Sequence, residues 1–183
     1  MIRVIFTRFV DKTFPAKRSD DNMVLKGESS VEKGKRFELF CIMLIKRILA
    51  PLGVKVVHTG KPGDKGRDII CEVYGLTFVI QCKAWYKKNI DRSHVDELET
   101  VIRRGNNDLD TVVKKGRFSF GILVGVDICK ISDEAIDRAR TSECDIGVVT
   151  YHDMYSSLLD LSKCQIKCTS HYFCSINKAG SGG

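Results

Sequence analysis

A chain of 183 residues, 43% hydrophobic and 29% charged, is ordinary for a globular protein and long enough to bury a core as one domain. Its longest unbroken apolar run, residues 39–45, falls far short of the roughly 20 residues a membrane-spanning helix needs. The formal charge of +7 favours a polyanionic partner.

Residues 1–33 show no sustained period and read as an N-terminal extension, with at most a short strand at 2–6 and a loop at "KRSDDN". No secretory signal is present, so an intracellular location, cytoplasmic or nuclear, is expected. Basic residues outnumber acids in 1–18, which leaves an organelle presequence open, although Asp11 and Pro15 weigh against it. From Gly34 the pattern turns helical, with Phe37, Phe40, Cys41, Leu44, Ile45, Ile48 and Leu49 recurring at threes and fours until Pro51 and Gly53. A short strand at 54–58 and the turn-rich "TGKPGDKG" follow.

Residues 68–74 and 77–83 are each about one strand long and rich in β-branched and aromatic residues. Gly75 and Leu76 between them suit a type II′ turn, which pairs Tyr74 with Thr77, Ile70 with Gln81 and Asp68 with Lys83. Alternation then places Ile69, Cys71, Val73, Phe78, Ile80 and Cys82 on an apolar face. The opposite face gathers Asp68, Gln81 and Lys83 at one end of the hairpin. Such an acid–amine pair is also an ordinary cross-strand ion pair, worth about 1 kcal/mol or less.

Ser93 is placed to cap the next helix, which carries Val95, Leu98 and Ile102 on one face and breaks at "NNDLD". Residues 118–126 read as a buried central strand, Ser132 caps a helix through Ala135, Ile136 and Ala139, and a strand at 146–150 precedes a helix at 153–161. The order is α-β-β-β-α-β followed by α-β-α, an α/β domain over 34–161 with a mixed sheet between helices. Residues 162–183 form a cysteine-containing tail expected to be flexible.

Of the eight cysteines, Cys41, Cys71 and Cys82 fall at core positions, where they act as small hydrophobes in a reduced chain. Cys164, Cys168, His171 and Cys174 are four potential zinc ligands, but they crowd into eleven residues, and a frayed tail is the favoured reading.

The element order and its residues resemble the PD-(D/E)XK nucleases, and more narrowly the Mrr-like restriction endonuclease family. That family carries a Phe–Glu pair in the first helix, a D-x-G-x-D turn into the second strand and Q-x-K on the third. This chain has "GKRFELF" with Glu38, "GDKGRD" with Asp64 and Asp68, and "QCK" with Gln81 and Lys83. The resemblance implies a restriction-endonuclease-like αβββαβ core and a metal-dependent DNA endonuclease of restriction or defence type. Duplex DNA is the implied substrate, with a preference for modified DNA left open. Two departures stand out: Gln81 replaces the commonest glutamate, as in other Mrr-like members, and residues 1–33 are too short for the winged-helix domain that selects targets in bacterial members.

On the same resemblance, Asp68 is the central ligand of Mg²⁺, with Mn²⁺ as substitute; Gln81 adds an amide oxygen and Glu38 serves the same or a second ion. Lys83 orients or deprotonates the attacking water and offsets charge in the transition state. Asp64 reads as a turn residue, and Glu38 alone would read as a helix-edge or dipole partner. Lys61, Lys65, Arg67, Lys87, Lys88 and Arg92 flank the site as candidate phosphate contacts, with Trp85 a candidate for base stacking or for packing. A homodimer is the expected arrangement if both strands are cut. Two other readings stay open: a repair or recombination nuclease acting on branched or damaged DNA, and a non-catalytic nucleic-acid-binding protein that keeps the fold.

Overall fold

A computed structural model describes residues 29–59, 66–73, 76–108 and 119–154. Lys61, Asp64, Lys65, Tyr74, Gly75 and the cluster Cys164, Cys168, His171 and Cys174 lie outside the described residues, as do residues 1–28 of the N-terminal extension, 155–161 of the expected last helix and the tail. Among the described residues, no helix is long and apolar enough to cross a membrane.

Helix α1, Ser30–Leu49, begins four residues before the apolar period does. The reason is a capping box: Ser29 Oγ accepts the Glu32 N–H, and the Glu32 carboxylate accepts the Ser29 N–H at 2.8 Å. Phe37, Cys41, Ile45, Ile48 and Leu49 form its buried stripe. A 3₁₀ turn containing Pro51 ends it, closed by Gly53 at φ 66°.

Five strands follow: β1, Lys55–His58; β2, Ile69–Val73; β3, Leu76–Lys83; β4, Ser119–Gly125; and β5, Ile146–Thr150, in the spatial order β1-β2-β3-β4-β5. β1, β2 and β3 are antiparallel neighbours, whereas β3–β4 and β4–β5 are parallel. The parallel pairs need crossovers, supplied by α2, Arg92–Asp108, and α3, Asp133–Arg140. A final helical segment begins at Tyr151, two residues before the expected start, with Thr150 Oγ1 accepting the Asp153 N–H. This is the expected α/β sandwich, with a mixed sheet between helices. β4 is an interior strand, paired in parallel on both sides, rather than the central one.

The hairpin register differs from the expected one by two residues. Val73 pairs with Leu76, Ile70 with Val79 and Ile69 with Ile80. Leu76 is therefore a strand residue, buried against Val73 in the core, rather than part of the turn. Burying that leucine outweighs the glycine-first turn. A shift of two keeps every side chain on its expected face, so only the partners change. Carried one residue past its last pair, this register sets Asp68 opposite Gln81 rather than Lys83.

Both faces of the sheet are covered. Ile69, Cys71, Phe78 and Ile80 pack with the α1 stripe, while Val79, Leu123 and Val148 pack with Val95, Leu98 and Ile102 of α2 and Ile136 of α3. The helix comes so close to β4 that a Cβ at Gly121 would lie 2.5 Å from Ile102 Cδ1. The start of α2 is held by Asp91, not by Ser93 as expected: Asp91 Oδ1 accepts the Ser93 N–H at 2.9 Å, which places Ser93 inside the first turn.

A polar clamp joins α2 to α3. Glu99, only 6% exposed, accepts from Arg138 at 2.7 Å, Ser142 Oγ at 2.7 Å and Arg103 at 2.5 Å, while Arg138 also reaches Asp96. Burial opposes the charge of Glu99, yet the bonds from Ser142, Arg103 and Arg138 together hold its carboxyl below the ordinary glutamate range. A depressed native pKa stabilises the fold fully above the unfolded value of about 4.3 and is lost as pH falls through the native value. Glu99→Gln is expected to cost about 1–3 kcal/mol in urea unfolding at pH 7, since it leaves Arg138 short of a partner. The difference from wild type should shrink as pH drops below about 4.

Candidate active site

The ends of three strands meet at one edge of the sheet: β1 finishes at His58, the backbone enters β2 through Asp68, and β3 finishes at Lys83. Asp68 is fixed through its backbone and its side chain. Its N–H donates to Ile80 O at 3.2 Å, its carbonyl accepts the Thr59 N–H at 2.9 Å, and Oδ2 accepts the Cys82 N–H at 2.6 Å. The carboxylate thus takes a β3 donor just beyond the last residue of the β2–β3 ladder and is held against the end of β3.

Gln81 lies across from Asp68 and is 3% exposed, and its Oε1 is buried without a hydrogen-bond partner among the described residues. An orphaned amide oxygen in a protein interior costs about 1–3 kcal/mol unless something accepts its lone pairs. Gly66 makes room for the amide. Its φ is +79°, which favours glycine, and a Cβ there would come within 3.0 Å of Gln81 Nε2 and 3.7 Å of Glu97 Oε1. Gly66, the second glycine of "GDKGRD", therefore has two structural reasons.

Lys83, its side chain 14% exposed, projects like Gln81 toward α2. Its ammonium lies 3.7 Å from Glu97 Oε2 and 5.0 Å from the centre of the Trp85 ring. Glu38 approaches from the other layer. Phe37 beside it is locked edge-on against Tyr151, and Glu38 Oε2 sits 2.7 Å from His58 Nε2. Cys82 lies between the two layers. Its thiol is pushed well above the usual range, first by a hydrogen bond with Cys41, then by desolvation and by the negative charges of Asp68 and Glu38. One sulfur between Gln81 and Lys83 thus feels both carboxylates.

The fold brings Glu38, Asp68, Gln81 and Lys83 to one strand edge, and adds two residues that sequence reasoning passed over. His58 joins Glu38 across twenty positions, and Glu97 joins Lys83 across fourteen. Neither had a local signal, because both depend on packing between elements distant in the chain. The donors Asp68, Gln81 and Glu38 are oxygens, which suits a hard divalent cation. The unpartnered Gln81 Oε1 fits such an ion, and no group of three or more His, Cys, Asp or Glu is arranged for a metal among the described residues.

Of the candidate phosphate contacts, Lys87 and Lys88 are exposed in the segment leaving β3. That segment is re-anchored at Ile90, whose N–H donates to Lys130 O at 2.6 Å. Arg92 is exposed and 3.6 Å from Asp96, and Arg67 is half-buried beside Asp68. Trp85 is engaged: Lys83 and Lys88 lie over its ring, and His94 meets it edge-on at 4.8 Å. These neighbours favour the packing role for Trp85.

Residues 31–121 match a family model, Mrr_cat, described as restriction endonuclease. No curated protein matches the chain closely enough to count as a relative. Two solved structures are similar: the restriction endonuclease FokI bound to DNA, at 12% identity and TM-score 0.47, and the MspJI restriction endonuclease in complex with a 27-mer oligonucleotide, at 14% identity and TM-score 0.44. The similarity covers 70% and 78% of this chain but only 25% and 34% of those chains.

Gly66→Ala is expected to cost about 1–3 kcal/mol, from strain at positive φ and the intrusion on Gln81. Thermal unfolding checks the cost, and a perturbed Gln81 side-chain amide signal in NMR checks the intrusion.

Proposed function

Since the chain belongs, through residues 31–121, to the Mrr-type restriction endonuclease family, we propose that it hydrolyses phosphodiester bonds of duplex DNA with the help of a divalent cation. The observation that carries this reading is the unpartnered Oε1 of Gln81 across from a carboxylate held in place by the Cys82 N–H. Asp68, Gln81 and Glu38 would hold the ion, Mg²⁺ with Mn²⁺ as substitute. Bound there, it would supply the positive charge that polarises the phosphate.

The chain's own groups do the rest. Lys83 Nζ, largely shielded from solvent, donates the hydrogen bonds that orient the attacking water and offsets charge on the phosphoryl oxygens. His58 holds the Glu38 carboxylate in one orientation. Lys87 and Lys88, exposed beside the strand edge, bind backbone phosphates, which position the duplex without reading its sequence. Cutting both strands takes two such sites, so a homodimer is part of the proposal. A restriction role with modified DNA as target follows from the family rather than from these side chains.

The test is nicking of supercoiled plasmid, methylated and unmethylated, with Mg²⁺ or EDTA. Wild type should cut only with the metal, and Asp68→Ala should lose cutting by at least ~100-fold while still retarding DNA without metal. Equal cutting by the variant would sink the site assignment. Preferential cutting of a branched duplex would move the reading to repair or recombination, and retardation without cutting to a non-catalytic binder. Replacing Lys87 and Lys88 together with alanine should flatten the dependence of log affinity on log salt, by up to about 0.9 for each phosphate no longer neutralised. An unchanged slope would remove them from the interface.

A further inference from the structure

Residue 81 is an amide, so the face that carries Lys83 has no carboxylate on its own strand beside the ammonium. A mostly buried lysine side chain needs a fixed partner for its charge to stay in one rotamer. Glu97 is the acid that meets it. Its Oε2 lies 3.7 Å from Lys83 Nζ, and its Oε1 lies near the Gly66 backbone that also borders Gln81 Nε2.

The placement is not that of a casual surface pair. Val95, Leu98, Val101 and Ile102 bury one side of α2 against the sheet, and the Glu99 clamp fixes α2 to α3. The backbone bearing Glu97 is therefore rigid relative to β3. The Trp85 ring approaches the same ammonium at 5.0 Å, so Lys83 is held between a carboxylate and an aromatic ring. The glutamate side chain is 53% exposed while the lysine is 14% exposed. The pair thus adds little to stability, for half-solvated ion pairs contribute about 0–1 kcal/mol, yet it decides where a mostly buried ammonium points.

We propose that Glu97 is a positioning residue for Lys83, supplying from α2 the counter-charge that the amide at position 81 cannot, and so aiming the ammonium at the scissile phosphate. This rests on the nuclease reading above. It predicts an asymmetry that a merely structural acid would not show: an acid beside a polyanion opposes DNA binding, so removing it should impair turnover without weakening affinity.

The experiment compares wild type, Asp68→Ala, Glu97→Gln and Glu97→Asp in single-turnover cleavage and DNA retardation, with thermal unfolding alongside. Acylation of Lys83 by an N-hydroxysuccinimide ester is followed by peptide mass spectrometry, with Lys46 as internal control. Glu97→Gln should lower the cleavage rate about 10- to 100-fold, part of what a positioned acid–base group contributes. Its DNA affinity should be unchanged or tighter and its unfolding midpoint unchanged. Glu97→Asp should fall between wild type and Glu97→Gln. Acylation of Lys83 relative to Lys46 should rise roughly two- to five-fold in Glu97→Gln, the scale of a screened ion pair.

Wild-type cutting that is lost in Asp68→Ala but unchanged in Glu97→Gln overturns the role of Glu97 and leaves the nuclease reading standing. Loss of cleavage together with lower affinity or a lower midpoint also overturns it, in favour of a structural role. Unchanged labelling of Lys83 removes the pair itself. A wild type that never cuts sinks the nuclease reading, and the assignment to Glu97 falls with it.

Discussion

The register of β2 against β3 governs the whole sheet edge. Pairing Val73 with Leu76 puts Asp68 across from Gln81, and the Cys82 N–H then finds the Asp68 carboxylate at 2.6 Å. A slip of β2 by one residue would send Asp68 to the opposite face from Gln81 and expel Ile69 and Cys71 from the α1 layer. The register is therefore held by the same apolar burial that makes the core, and the site inherits its geometry from that burial.

β3 is also where the sheet changes character, antiparallel to β2 and parallel to β4. The parallel side obliges the chain to leave β3, cross over through α2 and return as β4. The crossover begins directly after Lys83. This is why Trp85, Lys87 and Lys88 sit beside the site, and why α2 comes back over the lysine carrying Glu97. The two layers contribute differently: α1 brings Glu38 to His58 at the end of β1, and α2 brings Glu97 to the Lys83 amine. The Glu99–Arg138 clamp, remote from the edge, matters because it fixes the helix that brings Glu97.

Much of this was legible in the residues. The apolar stripe from Phe37 to Leu49, the two runs of β-branched residues, the Pro51–Gly53 stop and the Ser132 cap all report local physics, and each element formed. The start of α1 was placed four residues late, although Ser29 and Glu32 carry the fixed spacing of the capping box that sets it. The hairpin register was not, since glycine at position 75 fits more than one two-residue turn and only the burial of Leu76 chooses between them. The Ser93 cap was misplaced by two positions because Asp91 offers the same chemistry next to it.

What the sequence by itself determined is the order of elements, the face each strand residue takes and the identity of the reactive side chains, because periods of 2 and 3.6 and the chemistry of oxygen and amine are properties of the local chain. Only tertiary structure decided which of those side chains meet. Asp68 facing Gln81, His58 facing Glu38 and Glu97 facing Lys83 are meetings across strands and layers, set by how α1 and α2 pack on the sheet. No local spacing encodes them, because the packing of distant apolar residues brings them together.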